Sequence, residues 1–335
     1  MDNLGKVLKV IDEVGYKEVN PATQFRDWWK PMHHSPLGAR LESSSRCQAN
    51  CIHCPRAKMT RPLIEMPKDI FVKCINEFEE APKHLDYLFL HLNGEPLFLE
   101  IDEMCWRIDY AKEKLPDTLI TFFTNGQLLT EDKSEKLIKT KLDKLSFSVN
   151  GGTKEDYETI MPGLSFDVTI NNIKTFARLN FENGEKITTS AILLPQKANE
   201  NSMEKCFEMM NEIGIDEVGG AGINNIGGAI DAKNMKLEGQ YSKGNPHGLC
   251  WRTFTEINIM ADGRVCACCQ DVLGLVVHGD VTKEHLLDIW HGESLTKLRI
   301  ELLQGKHPNL SPEFEMCNKC DFMESFITNG WGGRK

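Results

Sequence analysis

The chain has 335 residues, 41% of them hydrophobic, and a formal net charge of −10. That length predicts a large unit with a smaller appendage, and the apolar fraction excludes wholesale disorder. The acidic balance argues against nucleic acid as a partner, and no apolar run approaches the ~18 residues of a membrane span. The 12 cysteines gather in clusters, which points to metal rather than disulfides.

Residues 1–36 form an expected N-terminal helical extension. Within Met1–Gly15, the residues Leu4, Val7, Leu8, Ile11 and Val14 recur at helical spacing among charges, unlike the continuous apolar core of a secretory signal. With neither signal nor span, a cytoplasmic, reducing location is expected. Trp28, Trp29, His33 and His34 follow as a cluster that would pack the extension onto the next unit or cover a substrate mouth. From Leu37 the pattern alternates. Strands are predicted at Ala39–Ser43, Tyr87–Leu92, Leu119–Thr124, Leu145–Val149, Ile187–Leu194 and Asp216–Gly222. Helices are predicted near Lys68–Glu80, Ile101–Glu113, Glu131–Lys139, Phe166–Leu179 and Asn199–Ile213. This α/β alternation predicts a parallel sheet with right-handed crossovers over residues 37–223, closed as a partial (β/α)6 TIM-like barrel with its reactive groups on the loops after the strands. Residues 224–249, rich in Gly, Asn and Lys, read as a linker. In residues 250–335, Phe254–Met260 and Arg264–Cys269 form a predicted hairpin about Ala261-Asp262-Gly263. A helix over roughly His285–Leu303 and a cysteine-bearing tail complete this part.

The loop after the first strand reads Cys47-Gln-Ala-Asn-Cys51-Ile-His-Cys54. Three thiolates so close can hold three irons of a 4Fe-4S cluster, and with no fourth cysteine nearby one iron keeps an open, reactive position. Structural zinc, which takes four ligands, fits a lone triplet poorly. The CxxxCxxC arrangement resembles the signature of the radical S-adenosylmethionine (radical SAM) enzymes. The resemblance implies that Cys47, Cys51 and Cys54 carry a cluster whose open iron chelates SAM, and that reduction releases a 5′-deoxyadenosyl radical. A reductant such as flavodoxin or ferredoxin is then an expected partner. Gly94-Glu95-Pro96, after the second strand, resembles the family's Gly-Gly-Glu motif, with Asn93 in place of the first Gly. Glu95, supported by Gly94, would bind the SAM amino group. Asn125 ends the third strand, and Ser148-Val149-Asn150-Gly151 resembles the family's Ser-x-Asp-Gly near the SAM ribose, with Asn150 where Asp is usual. Turn formation is the alternative for Asn125. Ser190 is a further candidate for a ribose or carboxylate contact, or else a satisfied core hydroxyl. His53 would lend its backbone to the adenine and is given no catalytic role.

Cys74, Cys105 and Cys206, scattered on helices, are expected to be buried small apolar side chains. Cys250, Cys266, Cys268, Cys269, Cys317 and Cys320 crowd the final segment. With Gly263, Gly279-Asp280-Val281 and Ile289-Trp290, they resemble the auxiliary-cluster region of the SPASM and twitch subfamilies. Cys320 is the last cysteine, so the twitch type, with one auxiliary 4Fe-4S cluster on Cys250, Cys268, Cys317 and Cys320, is expected. The spacing from Gly263 favours Cys268, with Cys266 or Cys269 as alternatives, and structural zinc on the same residues is the competing ligand.

A closed cluster can accept an electron, which favours oxidation over isomerisation. The expected reaction is hydrogen abstraction from a carbohydrate-like alcohol or other small molecule, as in the twitch-type dehydrogenase of aminocyclitol assembly. The alternative substrate is a ribosomally made peptide; the short segment before Leu37 lacks room for a leader-binding winged helix. A zinc- or cluster-stabilised binding protein without catalysis is the competitor of another class.

Overall fold

The computed structural model describes residues 2–14, 34–237 and 250–321. Trp28, Trp29 and His33 lie outside the described residues.

The first helix, α1 (Asn3–Val14), is followed by the alternating core. In chain order the core comprises β1 (Gly38–Leu41), α2 (Lys68–Glu79), β2 (Tyr87–Phe89), α3 (Ile101–Lys114), β3 (Leu119–Thr124) and α4 (Glu131–Leu137). It continues with β4 (Lys144–Ser148), α5 (Lys154–Ile160), α6 (Phe166–Glu182), β5 (Thr188–Leu193), α7 (Met203–Ile213) and β6 (Glu217–Gly220). Helix starts follow local chemistry: the hydroxyls of Thr130, Thr153 and Ser165 accept from the amides of Lys133, Asp156 and Val168, satisfying donors that the helix leaves open. Strands β1 to β6 pair in parallel, each beside its predecessor, so every crossover advances in one direction, the winding of a partial TIM-like barrel.

Period-two alternation divides the sheet. Ala39, Leu41, Leu88, Leu90, Ile120, Phe122, Leu145, Phe147, Ala191 and Leu193 are buried in the core beneath the helices. The opposite, inner face carries Arg40, Phe89, His91, Phe123, Ser146, Ser148 and Ser190, several of them only half-buried.

The C-terminal segment continues this sheet. After the short helix α8 (Arg252–Thr255), β7 (Glu256–Ile259) pairs in parallel with β1 and antiparallel with β8 (Arg264–Cys266). β9 (Val277–Asp280) closes the edge, giving nine strands in the order β6-β5-β4-β3-β2-β1-β7-β8-β9. The predicted hairpin is therefore present but shorter, because Phe254 lies in α8 and Cys268 and Cys269 lie in the turn beyond β8. A Cβ on Gly279 would overlap the Ile289 side chain, so the Gly279 and Ile289 positions form one packing contact. The predicted helix over His285–Leu303 is two helices, α9 (Leu286–Trp290) and α10 (Glu293–Leu303), divided at His291-Gly292, and α11 (Glu315–Asn318) follows.

The N-terminal helix packs on α10, not on the barrel core, with Val7 inside a second apolar cluster that includes Phe254, Cys268, Leu298 and Leu302. The described part of the expected linker, residues 224–237, is docked. Lys236 pairs with Asp321 at 2.7 Å, and Asn225 exchanges hydrogen bonds with the same residue. Lys58, from the first cysteine loop, donates to the Ala229 carbonyl at 2.7 Å. No helix among the described residues is long and apolar enough to cross a membrane.

Candidate active site and cysteine centres

Cys47, Cys51 and Cys54 sit on the loop that leaves β1 and are all half-buried. The loop is tied down by its backbone: Asn50 donates to the Pro162 carbonyl at 2.7 Å, Ile52 to Ile160 at 3.0 Å, and Cys54 to Cys51 at 3.0 Å. Arg56 donates to the Cys47 carbonyl. Burial pushes the Cys47 thiol up to about 11, with the Glu95 carboxylate adding to it. Burial, then the neighbouring cysteines, raises Cys51 further. Cys54 is raised chiefly by burial as well. A coordinating metal would deprotonate these thiols, its charge offsetting the repulsion between thiolates. His53 beside them is half-buried, and burial holds it neutral, down to about 4.

Glu95 is fully enclosed, and its backbone amide donates to the Arg46 carbonyl at 2.7 Å, fastening the β2 loop to the cysteine loop. Gly94 makes this approach possible, since a Cβ there would overlap the Ser44 carbonyl. The carboxylate accepts from Thr124 Oγ1 at 2.7 Å and Leu97 N at 3.2 Å on one oxygen, and from Asn125 N at 2.8 Å on the other. Burial raises its pKa, and these donors oppose the rise. Asn125 joins the same assembly. Its Oδ1 accepts from Gln48 at 3.0 Å and its Nδ2 faces the Cys47 sulfur at 3.8 Å. Cysteine loop, Glu95 and Asn125 thus meet at the C-terminal ends of β1, β2 and β3, where parallel barrels carry their reactive groups. Thr124 and Gln48 also belong to this assembly; Thr124 closes the predicted third strand beside Asn125, while Gln48 carries no motif signal.

Other candidates are engaged by protein. Ser190 lies 2.6 Å from Ser146 across β4 and β5. Asn150 accepts from Leu194 N at 2.9 Å, and its backbone carbonyl accepts from Asn199 at 3.0 Å, joining the ends of β4 and β5. Ser148 stands half-buried at the end of β4, in register with Ile192.

In the C-terminal segment, Cys250, Cys268, Cys317 and Cys320 line one cavity together with Arg252, Thr253, Ala267, Gln270, Leu302 and Met316. Cys266 and Cys269 do not line it. Cys266 faces the Cys268 carbonyl at 3.6 Å and packs with Leu92 and Met260. Cys269 accepts from Arg252 Nη1 at 2.9 Å. Gln270 N donates to the Cys268 sulfur at 3.4 Å, the kind of bond that steadies a thiolate ligand. Burial raises Cys250 to about 11 and lifts Cys268 and Cys317 well above the usual thiol range, with the neighbouring cysteines adding to it. Among the described residues, no three Cys, His, Asp or Glu side chains converge on one metal ion. Four thiols around one cavity match the ligand number of a 4Fe-4S cluster and of a tetrahedral zinc alike. Cys74 and Cys206 are buried as expected, while Cys105 is half-buried.

From the four-cysteine cavity a chain of contacts runs onto the inner face of the sheet. Arg252, at the edge of the four-cysteine cavity, lies 3.5 Å from Glu256. Glu256 also accepts from Tyr87 at 2.7 Å and from Arg40 at 3.4 Å. The Arg40 guanidinium stacks on Phe89 at 3.9 Å. His91 packs against Phe89 and Phe123, and its Nδ1 accepts from Phe123 N at 3.2 Å, which leaves the proton on Nε2. Burial keeps this imidazole neutral. Arg40, Arg252 and Glu256 were not foreseen, because no local motif marks residues that meet only through strand pairing.

A family model described as the radical SAM superfamily matches residues 41–210, and one described as an iron-sulfur cluster-binding domain, SPASM, matches residues 250–321. The chain belongs to the radical SAM superfamily and carries a C-terminal SPASM/twitch cluster domain. Among its relatives is an S-adenosyl-L-methionine-dependent 2-deoxy-scyllo-inosamine dehydrogenase of Niallia circulans, 21% identical over 285 residues, covering 84% of this chain and 91% of the relative. An AdoMet-dependent heme synthase of Methanosarcina barkeri is 28% identical over 187 residues, covering 55% of this chain and 49% of the relative. The structure of BtrN in complex with AdoMet and 2-DOIA superposes with a TM-score of 0.58 at 19% identity, over 87% of this chain and 94% of that one. Streptococcus suis SuiB bound to precursor peptide SuiA gives 0.61 at 17% identity, over 84% and 72%. These likenesses establish a shared fold. The cofactors of the chain are S-adenosylmethionine and 4Fe-4S clusters.

Proposed function

We propose that this protein is a radical SAM dehydrogenase acting on a hydroxyl-bearing small molecule of carbohydrate type. The observation that carries the reading is the four-cysteine cavity joined through Arg252 to the inner face of the barrel. In this reading Cys47, Cys51 and Cys54 hold the SAM-binding cluster, and Cys250, Cys268, Cys317 and Cys320 hold an auxiliary cluster with no open position. When bound, these groups supply a primary carbon radical for hydrogen abstraction and a sink for the electron that an alcohol must shed to become a carbonyl. The chain's own part is positioning. Glu95 orients the SAM amino group, Asn125 braces the Cys47 sulfur, and Gly94 lets the two loops approach. Arg40, Glu256 and the Nε2–H of His91 present donors and an acceptor of the kind that reads hydroxyls. The likeness to the inosamine dehydrogenase, over nearly its whole length, supports an alcohol. A flavodoxin- or ferredoxin-type protein would be the electron donor.

The test is anaerobic reconstitution with iron and sulfide, then SAM and a strong reductant. The wild type should form 5′-deoxyadenosine and the Cys47/Cys51/Cys54→Ala variant should not. With C–D-labelled aminocyclitols and polyols, deuterium should pass into 5′-deoxyadenosine with formation of a carbonyl product. Transfer only from a labelled peptide would replace the alcohol reading by peptide modification.

A further inference from the structure

Arg299, on α10, is buried with 2% of its surface exposed. Its Nε donates to the Thr253 carbonyl at 2.9 Å and its Nη1 to the Trp290 carbonyl at 2.8 Å. The guanidinium lies 4.0 Å from the Trp290 ring centre, and Nη2 is enclosed without a hydrogen-bond partner among the described residues. Among the described residues no carboxylate pairs with it, and burial alone brings its pKa down to about 9. Its titratable neighbours His278 and His291 are both shifted down, chiefly by burial and partly by Arg299. A buried guanidinium without a counter-anion carries a large desolvation cost, and ring stacking recovers only part of it. An apolar side chain would serve this core better unless an anion belongs beside it.

The surroundings indicate where that anion sits. Thr253, whose carbonyl takes the Arg299 Nε–H, lines the four-cysteine cavity and donates its own hydroxyl to the Cys250 carbonyl at 3.0 Å. Leu302, one turn along α10 from Arg299, lines the same cavity. Arg252 lines it directly. Four thiolates around a 4Fe-4S core carry a net negative charge, which grows by one on reduction. We propose that Arg299, behind the cavity wall, and Arg252, at its edge, are the built-in counter-charges of the auxiliary cluster and raise its reduction potential so that it accepts an electron from the substrate. Arg299 is a positioning residue in this role; it acts through the field and touches no reacting atom. The inference rests on the assignment of the four cysteines made above.

The experiment uses the full chain in the Cys47/Cys51/Cys54→Ala background, so that one cluster is observed alone. Its midpoint potential is followed by EPR-monitored redox titration in Arg299→Gln, which keeps a donor for a carbonyl but loses the charge, and in Arg299→Lys, which keeps the charge. The expected result is a lower potential in Arg299→Gln and a near-wild-type potential in Arg299→Lys. In thermal unfolding, cluster loading should stabilise the Arg299→Gln protein less than the Arg299 protein, because the metal-free Arg299→Gln form no longer buries a lone charge. An unchanged potential in Arg299→Gln, or equal shifts in both variants, would make Arg299 a structural staple and overturn the proposal. Absence of iron in the triple-variant background, despite full loading of the wild type, would instead overturn the four-cysteine assignment beneath it.

Discussion

Glu95 shows how one buried carboxylate is prepared for a cation. Three protein donors reach its two oxygens, and a carboxylate offers about four acceptor sites, so capacity remains on the oxygen bound by Asn125 N. Replacement by Gln removes the charge and sets an NH2 among donors. SAM affinity should fall by about ten- to a hundredfold, the worth of a charge-assisted hydrogen bond at ~1.5–3 kcal/mol, while iron content stays at the wild-type level. Calorimetry of SAM binding to the reconstituted protein measures this; unaltered affinity would remove Glu95 from the site. The three neighbouring cysteines at the end of β8 and just beyond it invite a similar comparison. Cys268→Ala should lose the auxiliary iron and sulfide, because Cys268 faces the cavity. Cys266→Ala and Cys269→Ala should keep both, as their thiols point to Leu92 and Arg252 instead.

Between elements, a buried ion pair joins Glu42 and Arg61. Glu42, just after β1, holds the Arg61 guanidinium by two bonds of 2.5 and 2.6 Å and accepts from Ala261 N at 2.9 Å. Arg61 donates onward to the Val272 carbonyl at 3.1 Å. Both side chains are almost wholly enclosed, so the pair clamps the first cysteine loop to the β7–β8 turn and the segment after it. Glu42→Ala strands a buried guanidinium and should cost ~3–5 kcal/mol. Adding Arg61→Leu should return part of that loss; the denaturation midpoints of the single and double variants decide it. At this scale much was legible. β1 to β6 lie within three residues of the predicted strands, because apolar alternation between charged helices is a strong local signal. Three features were not legible. α5 is only seven residues long, β9 is an edge strand with few apolar residues, and α9 is separated from α10 where Gly292 takes the N-cap position.

For the whole molecule, the pairing of β7 with β1 is decisive, since it makes the cluster domain an extension of the barrel sheet. The assembly also sets an acid limit. Burial depresses His53 to about 4 and His278 to about 3. A depressed base binds its proton in the unfolded chain first, so its contribution is intact above the unfolded value of about 6.5 and is lost as pH falls toward the folded value. Between pH 6.5 and 5 each histidine should subtract up to ~2 kcal/mol. Urea unfolding of the metal-free protein at these two pH values tests this. His278→Gln should flatten the dependence by about one histidine's share, and an unchanged slope would refute it.

The cysteine triplet and the Gly94-Glu95 pair were readable from the chain because each set lies in one short loop, where spacing alone brings the side chains together. The strand order was readable because each crossover is local. The spacing from Gly263 favours Cys268, but only the tertiary structure shows that it, and not Cys266 or Cys269, lines the cavity. Alternation lapses once β8 ends at Cys266, and the turn sets each direction after that. Tertiary structure also decided that Arg40, Arg252, Glu256 and Tyr87 meet, through the register of Gly38 with both Tyr87 and Glu256. Periodicity encodes which face of an element a residue occupies; which faces meet is settled by packing between segments distant in the chain.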